Sequence, residues 1–269
     1  MKLTYLGTAA AEGFPAVFCN CAYCAEARRL GGKNIRTRSQ ALVGDDLLID
    51  LPADTYHHFL THGIEGDRIP YLLLTHAHSD HLYPRELLMR SGAFAHAMRA
   101  PVLHVYGSAG TREHMGNIPE GVQMTVLTPY ETVQIGPYRV TPLPARHMPE
   151  AEPFIYIIEG DKTLLYAHDT GFPFEEVLTF IRERGFVFDM VSLDCTNVDI
   201  PIGDNGHHMG FPNIARLLFV LEDMGAITAD TVRYVNHFSH NGNPLHEHLA
   251  ERAATVGAHP SYDGCLVEF

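Results

Sequence analysis

The chain has 269 residues, 46% of them hydrophobic and 19% charged, and a net charge of −13 with histidines neutral. That length can bury a sizeable core, and the composition is ordinary for a globular protein. The acidic balance excludes a general attraction for nucleic acid or anionic membrane, and no run of 18 apolar residues is present to span a bilayer.

The N-terminus, Met-Lys-Leu-Thr-Tyr-Leu-Gly, enters a strand pattern directly, with no signal-peptide apolar region, so a cytoplasmic location is the expectation. Residues 3–8 are a predicted strand ending at Gly7, followed by a small-residue loop with the turn signal Gly-Phe-Pro. Cys19, Cys21 and Cys24 come next, in a Cys-x-Cys-x2-Cys spacing that suggests a metal cluster more than disulfides in a cytosolic chain. A short helical stretch then runs to about Leu30 and is closed by Gly31-Gly32. Residues 39–43 and 46–50 predict a hairpin, and 56–62 a short helix before Gly63.

Residues 71–74 are a short apolar run of the kind buried inside a covered sheet. Beyond Thr75, four metal-ligating side chains fall within six positions: His76, His78, Asp80 and His81. In an extended stretch, residues two apart point to one side, so His76 and His78 can reach one ion together. A turn after them re-aims Asp80 and His81 towards a second position. Imidazole and carboxylate suit zinc, manganese or iron.

Helical spacing is predicted over 85–98, with Leu87, Leu88, Phe94 and Met98 on one face. A strand at 102–106 and a helix at 111–116 follow, then strands at 122–127, 131–135 and 138–143. Residues 154–159 and 163–167 pair around the turn Gly160-Asp161. A helix over 174–184 closes at Gly185, and 190–194 is a buried strand. Pro212 and Gly225 bracket an amphipathic helix at 213–224. The chain ends with a strand at 231–236, a helix at 244–254 and a strand at 266–269. With no repeat, low-complexity segment or linker, this mixture predicts one α/β domain over residues 1–269.

His76-Ala-His78-Ser-Asp80-His81 resembles the His-x-His-x-Asp-His signature of the metallo-β-lactamase superfamily of binuclear metallohydrolases. The resemblance implies a four-layer αββα sandwich, two mixed sheets flanked by helices. It also implies further ligands at the ends of later strands, matched here by His147, Asp169 and His237. The implied assignment has His76, His78 and His147 on one divalent ion and Asp80, His81 and His237 on a second. Asp169 bridges the two. His168 departs from the expected serine, but the family pattern favours Asp169 as the ligand. Asp50 resembles a family aspartate that braces the ligand loops.

The three clustered thiolates are one ligand short of a closed tetrahedral zinc site. His240 lies three positions after His237, so one loop can direct a histidine to each site. Cys19, Cys21, Cys24 and His240 are therefore the expected structural zinc site, and Cys195 and Cys265 are read as core thiols.

Gly-Thr-Ala-Ala-Ala-Glu-Gly-Phe-Pro followed by the cysteine motif resembles two narrower branches. One is the phosphoribosyl cyclic-phosphate phosphodiesterases of phosphonate breakdown, which carry a binuclear site and a Cys3His zinc. The other is the pyrroloquinoline quinone biosynthesis protein B, which generally lacks the full signature present here. The first branch implies a phosphodiesterase acting on a small cyclic or nucleotide-like phosphodiester through a hydroxide shared by two metals. Asp80 and His208 are assigned to catalysis, His208 as general acid or phosphate contact, with His207 the neighbouring alternative. The alternatives are a thioester or lactone metallohydrolase and a non-catalytic cofactor-biosynthesis or carrier protein. A small-molecule substrate is the expected partner, with neither nucleic acid nor membrane, and the sequence leaves room for a homodimer.

Overall fold

A computed structural model describes residues 1–203 and 205–269. Two seven-stranded mixed sheets lie face to face. The first contains β1 (Lys2–Gly7), β2 (Gln40–Val43), β3 (Leu47–Ile49), β4 (Tyr71–Leu73), β5 (Leu103–Gly107) and β6 (Val122–Val126), with the last strand, β14 (Cys265–Glu268), on its edge beside β1. The second runs from β7 (Val133–Ile135) through β8 (Tyr138–Pro144), β9 (Phe154–Glu159), β10 (Thr163–Ala167), β11 (Met190–Asp194) and β12 (Val232–Asn236) to β13 (His259–Pro260). The β3–β4–β5–β6 and β10–β11–β12–β13 pairings are parallel.

Alternation along the strands builds the layers. In β9, Tyr156 and Ile158 enter the cluster between the sheets, where Tyr5, Val43, Ile49 and Tyr166 meet them. Ile155 and Ile157 face the other way, onto α4 (Glu175–Arg184), α5 (Phe211–Asp223) and α6 (His246–Ala254). Both faces of the strand are covered, which accounts for its unbroken apolar run. Each fully buried Ile or Leu contributes roughly 1.5–3 kcal/mol. On the far side, Leu6, Leu72 and Val105 pack with Phe59 of α2 (Thr55–His62) and with Met115, just beyond α3 (Ala109–His114). The four layers are those expected. No helix among the described residues is long and apolar enough to cross a membrane.

The expected helix over 85–98 is not an α-helix. Pro84–Arg90 and Gly92–Phe94 are two 3-10 segments. Leu87 is buried, but Leu88 and Phe94 are 44% and 70% exposed, so no continuous apolar stripe docks to hold longer α-turns. Ser91 is extended, and Gly92 adopts a left-handed φ of 59°. That break divides the stretch.

Candidate metal centre

The site forms where strands from both sheets end, as open α/β sheets place functional groups beyond their carboxyl ends. The stretch 76–81 leaves β4, His147 follows β8, Asp169 follows β10, and His237 follows β12. The backbone bends sharply there. Asp169 and His237 have left-handed φ values of 52° and 66°, as does Asp50 after β3 at 66°. Such a conformation in a non-glycine residue costs of order 1–2 kcal/mol and must be held by its surroundings. The surrounding layers join across the same region: Phe154 donates its N–H to the Thr75 carbonyl at 2.8 Å, and Tyr156 its hydroxyl to that of Leu74 at 2.5 Å.

Three overlapping groups of ligand atoms result, each with its atoms within 4.8 Å of one another. His76, His78, His147 and Asp169 form one; Asp80, His81, Asp169 and His237 form the next. Asp169 is thus common to the two sets that the sequence pattern names. Its Oδ2 lies 3.0 Å from His76 Nε2 and 3.1 Å from His81 Nε2.

The donor set fits cations. His147 Nε2 faces His78 Nδ1 at 3.1 Å, and His81 Nε2 faces His237 Nε2 at 3.3 Å. Tetrahedral bonds of about 2.0–2.1 Å to a zinc would set two ligand nitrogens about 3.3 Å apart. The buried atoms His76 Nε2, Asp169 Oδ1 and His208 Nδ1 make no hydrogen bond of acceptable geometry among the described residues, despite their closeness. Unpaired buried polar atoms are rare, and a bound ion is one recognised cause.

Electrostatics agree. Burial pushes His76 down, and the neighbouring His81 charge adds to that. Burial also holds His147 at about 4, so its imidazole is neutral, the state a ligand needs. Burial opposes ionisation of Asp169, yet His237, His76 and His208 hold its carboxyl well below the usual carboxylate range. Asp80 is likewise lowered against its burial, by His81 and His237. His81 is pushed up because Asp80, Asp50 and Asp169 outweigh its desolvation.

Asp50 lies wholly buried beneath the ligand loop. Its carboxylate accepts from Thr75 N at 2.8 Å, Thr75 Oγ1 at 2.9 Å and His81 Nδ1 at 2.7 Å. With Nδ1–H so engaged, His81 turns Nε2 to the site, where a bound cation would take the place of the proton.

A third group, Asp169, Asp194, His208 and His237, includes a residue that sequence reading missed. Asp194 ends β11 and is completely buried. It accepts from Met209 N at 2.8 Å, Thr196 N at 3.1 Å and Thr196 Oγ1 at 2.9 Å. Its Oδ2 sits 3.5 Å from both His208 Nδ1 and His237 Nδ1. With its oxygens occupied by these donors, Asp194 acts as a support for the two imidazoles. A carboxylate closing a buried strand, in Met-Val-Ser-Leu-Asp194, was the available signal.

The neighbouring histidines separate by environment. His208 lines a cavity of about 350 Å³ with His78, Asp80, His147, Asp169 and His237. Burial works against its charge, but Asp169 at 3.0 Å and Asp194 push it up to about 10. His207 instead donates Nδ1–H to the His147 carbonyl at 2.8 Å. His168 is a core residue: its Nε2 bonds Ser192 Oγ at 2.7 Å, its Nδ1 meets Asn236 at 3.1 Å, and burial holds it neutral.

The second cluster gathers Cys19, Cys21, Cys24 and His240 where the loop before α1 (Ala22–Leu30) and the first turn of that helix meet the segment after β12. His240 Nδ1 lies 3.7 Å from Cys21 Sγ and 3.6 Å from Cys24 Sγ. A tetrahedral zinc with bonds of about 2.3 Å to sulfur and 2.0–2.1 Å to nitrogen sets that edge near 3.6 Å. A backbone hydrogen bond from Cys24 and the His240 imidazole lower the Cys21 thiol to about 6, favouring thiolate. Burial raises Cys24 to about 11, the penalty a bound cation would relieve. Cys195 and Cys265 are buried core thiols.

A family model described as a beta-lactamase superfamily domain matches residues 48–232. Comparison with curated proteins gives no match. Among solved structures, the chain is similar to a diphosphatase from the PhnP family, with a TM-score of 0.76 and 20% identity over 100% of this chain and 96% of that one. It is similar to Zn(2+)-bound PqqB from Methylobacterium extorquens, with a TM-score of 0.74 and 19% identity over the full length of both. Human tRNase Z, short form, matches with a TM-score of 0.65 and 14% identity over 100% of this chain and 99% of that one. With the family model spanning well over half its length, the chain belongs to the metallo-β-lactamase superfamily and is a metal-dependent hydrolase of that fold, its buried His/Asp clusters forming the metal site.

Proposed function

We propose that the protein is a binuclear phosphodiesterase acting on a small cyclic or nucleotide-like phosphodiester. The observation that carries this reading is the place of His208, beside the two ligand sets in one cavity of about 350 Å³. In this reading His76, His78 and His147 hold one divalent cation and Asp80, His81 and His237 the other, with Asp169 between them. Bound there, two divalent cations would supply Lewis acidity to phosphoryl oxygens and lower the pKa of water to about 7.

The remaining work falls to the chain's own residues. A departing alkoxide needs a proton, and His208 is the protonated imidazole in the cavity. Cations on Asp169 would withdraw part of the charge that pushes His208 upward, bringing it nearer the range where a general acid is effective. Asp194 places a carboxylate oxygen 3.5 Å from its Nδ1, and the Thr196 backbone and hydroxyl hold Asp194. In the same reading Cys19, Cys21, Cys24 and His240 carry one structural zinc. A fold shared with a PhnP-family diphosphatase accords with attack at phosphorus.

The test is turnover of bis-p-nitrophenyl phosphate by metal-reconstituted protein, beside p-nitrophenyl phosphate, a thioester and a lactone. Diester turnover well above the others supports the proposal, and turnover confined to the thioester or lactone overturns it. The likeness to PqqB favours, as the second reading, a non-catalytic cofactor-biosynthesis role, which full metal content with no turnover of any ester would select.

A further inference from the structure

The lining of the cavity at the His/Asp centre includes one acidic side chain that this centre does not use. Glu12, from the loop after β1, lines the cavity together with Asn197, Ser239 and Asn241. Its Oε1 accepts from Ser239 Oγ at 2.6 Å and from His240 N at 3.2 Å. These two bonds fix the carboxylate in place. No described residue donates a hydrogen bond to Oε2, and no lysine or arginine is among the described residues lining the cavity. A phosphodiester's single negative charge has the metal side to receive it. A second, terminal phosphate carries about −1.5 to −2 near neutral pH, and away from the metal side and His208 the described lining offers it no lysine or arginine. Beside Glu12 it would meet a fixed carboxylate instead. A hydroxyl in the same place could donate to that carboxylate. Discrimination by placing a like charge against the wrong ligand is an established route to specificity.

We propose that Glu12 is a specificity-determining residue that admits a phosphodiester whose non-reacting part carries neutral hydroxyls and rejects one bearing a terminal phosphate. This rests on the phosphodiesterase reading and adds the substrate class to it.

The test compares a nucleoside 2′,3′-cyclic phosphate with its 5′-phosphorylated counterpart, using metal-loaded wild type and Glu12→Gln. Glutamine keeps an acceptor for Ser239 and His240, and melting temperature and zinc content verify that the loop is intact. Wild type is expected to favour the 5′-hydroxyl substrate in kcat/KM by roughly tenfold or more, and Glu12→Gln to bring that ratio close to one. Equilibrium binding of a nucleoside 3′-phosphate and a nucleoside 3′,5′-bisphosphate supplies the same ratio without turnover. Equal treatment of either pair by wild type, or an unchanged ratio in Glu12→Gln, overturns the proposal. If no diester is turned over while the binding ratio shifts as expected, the phosphodiesterase reading fails and the role of Glu12 stands.

Discussion

The Asp50 carboxylate and the His81 imidazole lie 2.7 Å apart with neither side chain exposed to solvent. Asp50 also takes the Thr75 N–H and hydroxyl, so one buried anion anchors both the start and the end of the ligand stretch. Asp50→Asn should weaken binding of the second divalent ion by about 10- to 100-fold while the first is retained. Metal titration by calorimetry checks this, and two unchanged affinities would remove Asp50 from the site.

Asp169 is shared by both ligand sets, whereas His76 belongs to one. Asp169→Ala should therefore lose both divalent ions, and His76→Ala chiefly one, each with turnover reduced to background. Circular dichroism should remain close to wild type, because the substitution leaves the pairing of β10 with β9 and β11 in place. Metal analysis after dialysis separates the two variants.

His208 is expected to act as a proton donor, so His208→Asn should lower kcat by roughly 10²- to 10⁴-fold with both ions retained. A proton donor is active below its pKa and is lost as pH rises through it. The wild-type kcat profile should accordingly fall on the alkaline side, and that limb should be missing in His208→Asn. A normal kcat, or an unaltered alkaline limb, would take His208 out of the mechanism.

Cys21→Ser should release one zinc and lower the melting temperature by about 5 °C or more, at a scale of about 2–4 °C per kcal/mol for a chain approaching this size. The divalent ions of the His/Asp centre should stay. Zinc release followed with a chromogenic chelator, together with calorimetric melting, reads both effects.

His58 is held between Gln40 Oε1 at 2.6 Å and Thr37 Oγ1 at 2.7 Å, and burial lowers it from 6.5 to about 3. Above pH 6.5 the imidazole is neutral whether folded or unfolded and adds no slope. As the pH falls further, the unfolded chain binds a proton that the folded chain refuses. Stability is then lost by up to about 1.4 kcal/mol per pH unit until pH reaches about 3. Urea unfolding between pH 6 and 4 should show a shallower loss in His58→Gln than in wild type at equal metal loading.

Much of the architecture could be read from the chain because its strands are covered on both sides. Apolar runs as short as those of β9 and β10 fit strands buried on two faces, and glycines mark several helix ends, as Gly185 does for α4. The stretch 85–98 misled because its apolar spacing is real while the burial that would reward it is not: Phe94 is 70% exposed. At the site, the compact 76–81 motif was visible since all four ligands are neighbours in sequence. Asp194 was not, because its meaning depends on His208 and His237, which come 14 and 43 positions later and reach it only through folding. Glu12 is similar, bonded to a serine 227 positions away.

The left-handed turns at Asp50, Asp169 and His237 bear on any attempt to transplant this centre. Copying its side chains onto a scaffold with ordinary extended backbone at those three points would send two carboxylates and an imidazole in other directions. A successful graft would have to import the kinked strand exits along with the donors, and the packing that keeps them kinked.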